Sequence, residues 1–174
     1  TGATGGVGSV AIMLLDAAGF EVHALTGRPD ELGAHLRGLG ADEVLPRAEL
    51  EGHGKPLQRG TFAGVVDSVG GEVLANAIAR TVPDGTVAAC GLAGSHELPA
   101  TVMPFILRGV TLAGINSVQA PLEDREDAWR ILAQGVDADL LDAMTDRIGL
   151  DDVISAGEQL LQGRRHGRTL VVVE

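Results

Sequence analysis

The chain has 174 residues, 45% of them hydrophobic, with 13 basic against 24 acidic side chains and a net charge of −11. That length suits one domain with a sizeable core, since domains commonly hold about 100 to 150 residues. The acidity argues against a nucleic-acid surface, no apolar run approaches the about 18 residues of a membrane span, and a single cysteine, Cys90, excludes an internal disulfide framework or a cysteine-rich zinc lobe.

In chain order, Thr1-Gly2-Ala3-Thr4-Gly5-Gly6-Val7-Gly8 comes first, with Ala3, Gly5 and Gly8 at the spacing of a dinucleotide fingerprint. Such a loop follows a strand and opens a helix, so that glycines admit the pyrophosphate close to the backbone and the helix N-terminus faces its charge. The helix is legible from Val10 to Leu15, whereas the strand is expected upstream of Thr1. Glu21 to Leu25 predicts the next strand, Pro29 to Leu39 a helix that Gly40 ends, and Glu43 to Leu45 a third strand. Residues 46–60 lack a clear period and suit a loop or a ragged helix. Phe62 to Asp67 predicts a buried strand, Leu74 to Ala79 a helical face, and Gly85 to Gly91 another strand with Cys90 as an inert core residue.

Val102 to Leu107 supports one helical turn before a strand over Gly109 to Ile115. Asp124 to Ala133 and Asp151 to Leu161 predict helices with acidic starts, offering Trp129, Leu132, Val153 and Leu160 to a core, and Thr169 to Val173 predicts a closing strand. Alternating strands and helices, with three Phe, one Trp and abundant Val, Leu, Ile and Ala, select an α/β fold: a Rossmann-type doubly wound parallel sheet lacking its first strand. Its dinucleotide-binding domain is expected over residues 1–166. The single cysteine fits a reducing cytoplasm.

The second strand ends in Thr26-Gly27-Arg28 with no carboxylate at its tip; the nearest, Asp30, lies beyond Pro29. A carboxylate there accepts the ribose 2′-hydroxyl of NAD, whereas a 2′-phosphate calls for hydroxyl and cationic groups. NADP(H) is therefore the expected cofactor, the alternative being Arg28 as a solvated surface residue. Asp67 suits either a ribose contact or a turn cap. The five histidines have no metal-ligand spacing, and Arg164-Arg165-His166 suits a solvated charge run.

The opening loop, Leu25-Thr26-Gly27-Arg28, Leu39 to Arg47, Val66 to Gly71 and Ala88 to Gly94 resemble the medium-chain dehydrogenase/reductase superfamily. Thr101 to Val110 and Gly114 to Val118 resemble its acryloyl-CoA reductase branch, often labelled quinone oxidoreductase. The resemblance implies NADPH-dependent reduction of an activated carbon–carbon double bond, on an acyl-CoA or enone substrate, without metal. It assigns Thr4, Gly5, Gly6 and Val7 to the pyrophosphate, Thr26, Gly27 and Arg28 to the 2′-phosphate and Arg47 to the adenosine end. Leu92, Ile106 and Ser117 would line the groove, with Arg164 near the nicotinamide. It implies no catalytic residue within this chain, because the family's GroES-like domain would lie upstream and residues 167–174 would return to it. Asn116 stands where the family pattern leads one to expect aspartate. A quinone reductase would use the same cofactor half, and a non-catalytic NADP-binding module is the reading from another class. A homodimer is expected through the strand edge near Thr111 to Ser117.

Overall fold

The computed structural model describes residues 1–173. Helix α1 (Gly6–Ala17) leads to β1 (His23–Thr26), α2 (Pro29–Gly38) and β2 (Glu43–Pro46), followed by a single 3-10 turn over Arg47–Glu49. The long loop after it is pinned rather than helical, because the Asn76 side-chain amide donates to the carbonyls of Leu50 and Gly52, both at 2.9 Å. Then come β3 (Phe62–Asp67), α3 (Gly71–Ala79), β4 (Thr81–Ala89), α4 (Met103–Arg108) and β5 (Thr111–Gly114). The chain closes with α5 (Leu122–Gly135), α6 (Ala138–Ala143), β6 (Thr145–Gly149), a 3-10 turn, α7 (Val153–Leu161) and β7 (Arg168–Val172).

Local chemistry explains several boundaries. Pro29 opens α2, with Asp30 and Glu31 in its first turn and Arg37 in its last, each suited to the helix dipole. Gly109, at φ 62°, ends α4 in the left-handed conformation that a glycine adopts without strain. Asp137 caps α6 by accepting from the amides of Asp139 and Leu140 at 2.8 and 3.1 Å.

Every pairing is parallel, as the alternation of elements predicts. The fold is the expected doubly wound α/β arrangement, but its main sheet lies in two pieces: β1 pairs with β2, and β4 sits between β3 and β5. Leu25 faces Leu45 in one piece, while Val66, Ala88 and Ala113 align across the other. On one side Ile12, Met13, Ala24, Leu36 and Leu39 form a core; Leu25, Leu50, Val73 and Ala77 form a second, and Leu74, Ile78, Val87 and Val110 a third.

Four expectations require correction. Phe62 to Asp67 is a strand, but Ala63 and Gly64 are exposed, because only one edge of β3 is paired. The next strand starts at Thr81 and stops at Ala89, leaving Cys90 outside it and exposed. Although the residue is exposed overall, its thiol donates to the Asp67 carbonyl at 3.1 Å, and partial desolvation of the sulfur there, followed by the Asp67 charge, pushes it above the usual cysteine range. No residue of α5 is buried and Trp129 is 66% exposed; Val153 and Leu160 are exposed as well. Apolar spacing marks the face of a helix, but it does not say whether this chain covers that face. Finally, α6 and β6 are unforeseen, and β6 gives the terminal strand a parallel partner from Thr145↔Arg168 to Gly149↔Val172. Of the expected terminal segment 167–174, Glu174 lies outside the described residues.

The α4 segment shows why a family-like block has a fixed sequence. Pro104 is buried, and the Arg108 guanidinium donates to the carbonyls of Ala79 and Thr81 at 3.1 and 2.9 Å and also to that of Gln58. Arg108 thus ties α4 to the starts of β3 and β4. No helix among the described residues is long and apolar enough to cross a membrane. Ile78 is fully buried in the third core, so Ile78→Ala should lower stability by about 2–5 kcal/mol in urea unfolding with the slope unchanged.

Candidate functional site

The carboxyl ends of β1 and β3 receive the first residues of the chain. The Ala3 amide donates to the Leu25 carbonyl at 3.1 Å, and the Thr1 amine to the Val66 carbonyl at 2.8 Å. Gly2 turns the chain at φ 59°, and the Gly5 amide closes on the Gly2 carbonyl at 3.0 Å. A Cβ on Gly8 would stand 2.7 Å from the Ala3 Cα, so only glycine admits this approach. Buried Ser9 fastens the turn by donating its hydroxyl to the Ala3 carbonyl at 3.2 Å.

Helix α1 then begins without a side-chain cap. Among the described residues, the amides of Val7 and Gly8 donate to no protein acceptor, as befits the first turn of a helix, whereas the Gly6 amide faces the Gly167 carbonyl through the parallel bridge of Gly5 with Gly167. Of the expected set Thr4, Gly5, Gly6 and Val7, Gly5 spends its amide on the Gly2 carbonyl and Gly6 faces Gly167, so the open amides at this helix start are those of Val7 and the following Gly8, where the helix dipole favours an anion.

At the tip of β1, Thr26 is buried and its hydroxyl oxygen accepts from the Arg28 amide at 3.1 Å, leaving the hydroxyl proton to donate. Arg47 lies against Gly27, its guanidinium 3.2 Å from where a Cβ would stand. Arg28 donates to the Arg165 carbonyl at 3.1 Å and faces Glu31 at 3.6 Å, while Arg47 pairs with Glu51 at 2.7 Å. Both arginines are held by partners that a doubly charged phosphate would outcompete in charge.

One contributor escaped the sequence reading. Gly167, at φ 61°, donates its amide to the Thr4 carbonyl at 2.7 Å, and the Arg168 guanidinium reaches the Gly6 carbonyl at 3.1 Å. A cation therefore stands beside the glycine turn. Its signal is the basic run Arg164 to Arg168, conspicuous in an acidic chain and interrupted by glycine. Within that run Arg165 is not a solvated charge: it binds Asp146 at 2.9 Å, Gln159 at 3.0 Å and Thr169 at 3.0 Å. His166 meets His35 of α2 edge to face at 5.5 Å, and the His35 Nε2 is buried without a hydrogen-bond partner among the described residues.

The remaining candidates are less gathered. Leu92 and Ser117 follow β4 and β5 on the carboxyl edge, and both are exposed. Ile106 is 74% exposed on α4, which precedes β5, and Arg164 is exposed; neither makes a side-chain hydrogen bond or ion pair to the cradle. Asp67 is fully buried and caps the next turn, accepting from the Gly70 amide at 2.9 Å and the Thr1 hydroxyl at 2.6 Å. Asn116 accepts from the amides of Val118 and Gln119 at 3.2 and 3.3 Å, so it shapes a turn where a charge was expected.

A glycine cradle at the carboxyl edge of a parallel sheet, beside a strand tip without a carboxylate, defines a dinucleotide-binding domain. Residues 6–134 match the zinc-binding dehydrogenase model, and the chain belongs to that family. It is 45% identical over 174 residues to the acrylyl-CoA reductase AcuI of Ruegeria pomeroyi, covering 99% of this chain and 52% of that protein. The yhdH oxidoreductase of Salmonella enterica, solved in complex with NADP, superposes with a TM-score of 0.95 at 40% identity over 99% of this chain and 52% of the other. Bacillus subtilis yhfP, solved with NAD bound, gives 0.89 at 40% identity over 98% and 52%. The chain thus spans about half the length of the relatives it matches. These agree with the medium-chain resemblance carried by the motifs. Despite the family's description, no three His, Cys, Asp or Glu among the described residues come together as a metal-ligand set, so these residues do not fit a zinc centre.

The histidine pair leads to a pH dependence. Desolvation, and secondarily the proximity of His166, hold His35 below the usual histidine value of 6.5. Between that lowered value and 6.5 the unfolded chain binds more protons than the folded one, so stability falls as pH falls through this window. Urea midpoints measured across it should decline for the native chain and decline less for His35→Leu.

Proposed function

We propose that this chain is the cofactor-binding part of an NADPH-dependent oxidoreductase that reduces the carbon–carbon double bond of acryloyl-CoA or a similar enoyl thioester. The observation that carries the cofactor choice is the tip of β1, where Arg47 faces Gly27 beside Arg28 with no carboxylate at Thr26 or Gly27. The 2′-phosphate would be held by Arg28, Arg47 and the Thr26 hydroxyl, and the pyrophosphate at the Thr4 to Val7 turn, with the open Val7 amide as donor and Arg168 beside it. Leu92 and Ser117 suit the groove toward the nicotinamide by their place on the carboxyl edge; Ile106 and Arg164 rest on the family resemblance alone.

The bound cofactor supplies a hydride for the β-carbon of the thioester, with a proton completing the α-carbon. The residues described here bind and orient that cofactor, and no proton donor is assigned among them. The substrate choice is supported by the name of the Ruegeria pomeroyi relative. Quinone reduction is the alternative within the same class, and a non-catalytic NADP-binding module is the alternative outside it. A homodimer is proposed through β5, which pairs with β4 on one side only and is followed by exposed Ile115 and Val118.

Two measurements test this. By calorimetry, Arg47→Ala should weaken NADPH binding by about tenfold to a hundredfold, as expected for losing a charged hydrogen bond, while leaving NADH binding nearly unchanged. Equal losses for both cofactors would refute the 2′-phosphate assignment. In a protein of the relatives' length carrying this chain, NADPH oxidation should be faster with acryloyl-CoA than with a quinone, and sedimentation should show a dimer; the present chain alone should turn over neither substrate. Absence of thioester turnover in the longer protein would reject the reductase assignment.

A further inference from the structure

Arg47 reaches the tip of β1 from the turn after β2, and Glu51 sets how it arrives. The Arg47 Nε donates to the Glu51 carboxylate at 2.7 Å. The rest of the guanidinium lies against Gly27, with Cζ and Nη2 3.2 Å and Nη1 3.4 Å from where a Cβ would stand. Three atoms at nearly one distance place the group flat over the glycine. Among the described residues, neither Nη nitrogen of Arg47 donates to a protein acceptor. Arg28 differs, because its Nη2 donates to the Arg165 carbonyl at 3.1 Å and its Nη1 faces Glu31 at 3.6 Å. Arg47 is thus the arginine at this tip whose two outer nitrogens stay open, a pair of donors that a phosphate engages side by side.

An exposed ion pair ordinarily contributes little, since ordering two long side chains offsets most of the attraction. Both members of this pair are half-exposed, yet the backbone beneath them is fixed. The Leu50 amide donates to the Arg47 carbonyl at 3.0 Å, and the Leu50 side chain is buried in the second core. On either side of Glu51 the Asn76 side-chain amide donates to the carbonyls of Leu50 and Gly52, while the Gly52 backbone amide donates to the Glu72 carboxylate at 2.9 Å. The neighbouring acid is committed elsewhere: Glu49 faces Arg80 at 3.8 Å, and its carbonyl accepts from the same arginine at 2.8 Å. Buried Asn76 of α3 therefore holds the segment that presents one carboxylate to Arg47.

We propose that Glu51 is a positioning residue for the choice of cofactor: by taking Nε, its carboxylate holds the Arg47 guanidinium over Gly27 and leaves both Nη nitrogens for a phosphate on the ribose. This rests on the assignment of Arg47 to the 2′-phosphate. A dinucleotide with a 2′-hydroxyl gains nothing from that arrangement, so Glu51 acts on NADPH and not on NADH. A side chain that is already ordered loses less freedom on binding, and this sets the size of the effect. Glu51 touches no part of the cofactor itself; it acts through Arg47.

Calorimetric titration of the chain with NADPH and with NADH tests this through two variants of a half-exposed side chain. Glu51→Ala should weaken NADPH binding by about twofold to fivefold and leave NADH binding unchanged. Glu51→Gln, whose side-chain oxygen still accepts from Nε, should match the native chain. In an Arg47→Ala background, Glu51→Ala should cause no further loss. Tighter NADPH binding by both Glu51 variants would overturn the proposal, because the carboxylate would then be opposing the phosphate. Equal losses for NADPH and NADH, or a loss that persists without Arg47, would overturn it in favour of a purely structural role. The two levels of failure are distinguishable: if Arg47→Ala weakens NADPH binding and Glu51→Ala does not, the positioning role alone falls. If Arg47→Ala leaves NADPH binding unchanged, the 2′-phosphate assignment falls and takes the positioning role with it.

Discussion

Two short hydrogen bonds from the first three residues hold the molecule's working edge together. Through the Ala3 amide on Leu25 and the Thr1 amine on Val66, β1 and β3 are bridged although no strand pairing joins them. The same three residues set the height at which α1 begins, and the contact of Gly8 on Ala3 fixes how closely that helix approaches the sheet. Were the approach looser, the open amides of Val7 and Gly8 would not stand at the start of the helix above Ala3. The shape of the glycine turn is a consequence of close backbone packing more than of any side chain.

Charge is distributed against the average. The chain carries −11 overall, yet Arg28, Arg47, Arg165 and Arg168 stand around the β1 tip and the opening turn, Arg28 on the Arg165 carbonyl, Arg47 against Gly27 and Arg168 on the Gly6 carbonyl. The arginines are kept in place by Glu31, Glu51, Asp146 and backbone carbonyls. These contacts restrain the arginine side chains.

Much of the fold was legible because period and punctuation agree in the first two-thirds of the chain. Pro29, Gly70 and Gly109 stand at element boundaries, and the apolar stretches between them match strands or helices within a few residues. The final third was less legible. The apolar positions of α5 and α7 predicted buried faces, and both helices leave them largely exposed, because periodicity reports the pattern of a surface without the partner that would cover it. Strand β6 was missed because Thr145-Asp146-Arg147 is too polar to register as a strand; its pairing with β7 supplies the stability that propensity lacks. In the site, the glycine spacing and the strand tip could be read directly, whereas Arg168 could not, being more than 160 residues from the Gly6 carbonyl it binds.

The sequence by itself determined the alternation of strands and helices, the glycine cradle and the lack of a carboxylate after β1, because these depend on residues near one another along the chain. Only the tertiary structure decided that Arg47 would stand over Gly27, that Gly167 and Arg168 would close on the cradle, that Cys90 would be exposed and that Asp67 would cap a turn. Each of those outcomes depends on which strand lies beside which. Strand order is set by burial and backbone pairing across distant segments, and no local pattern encodes it.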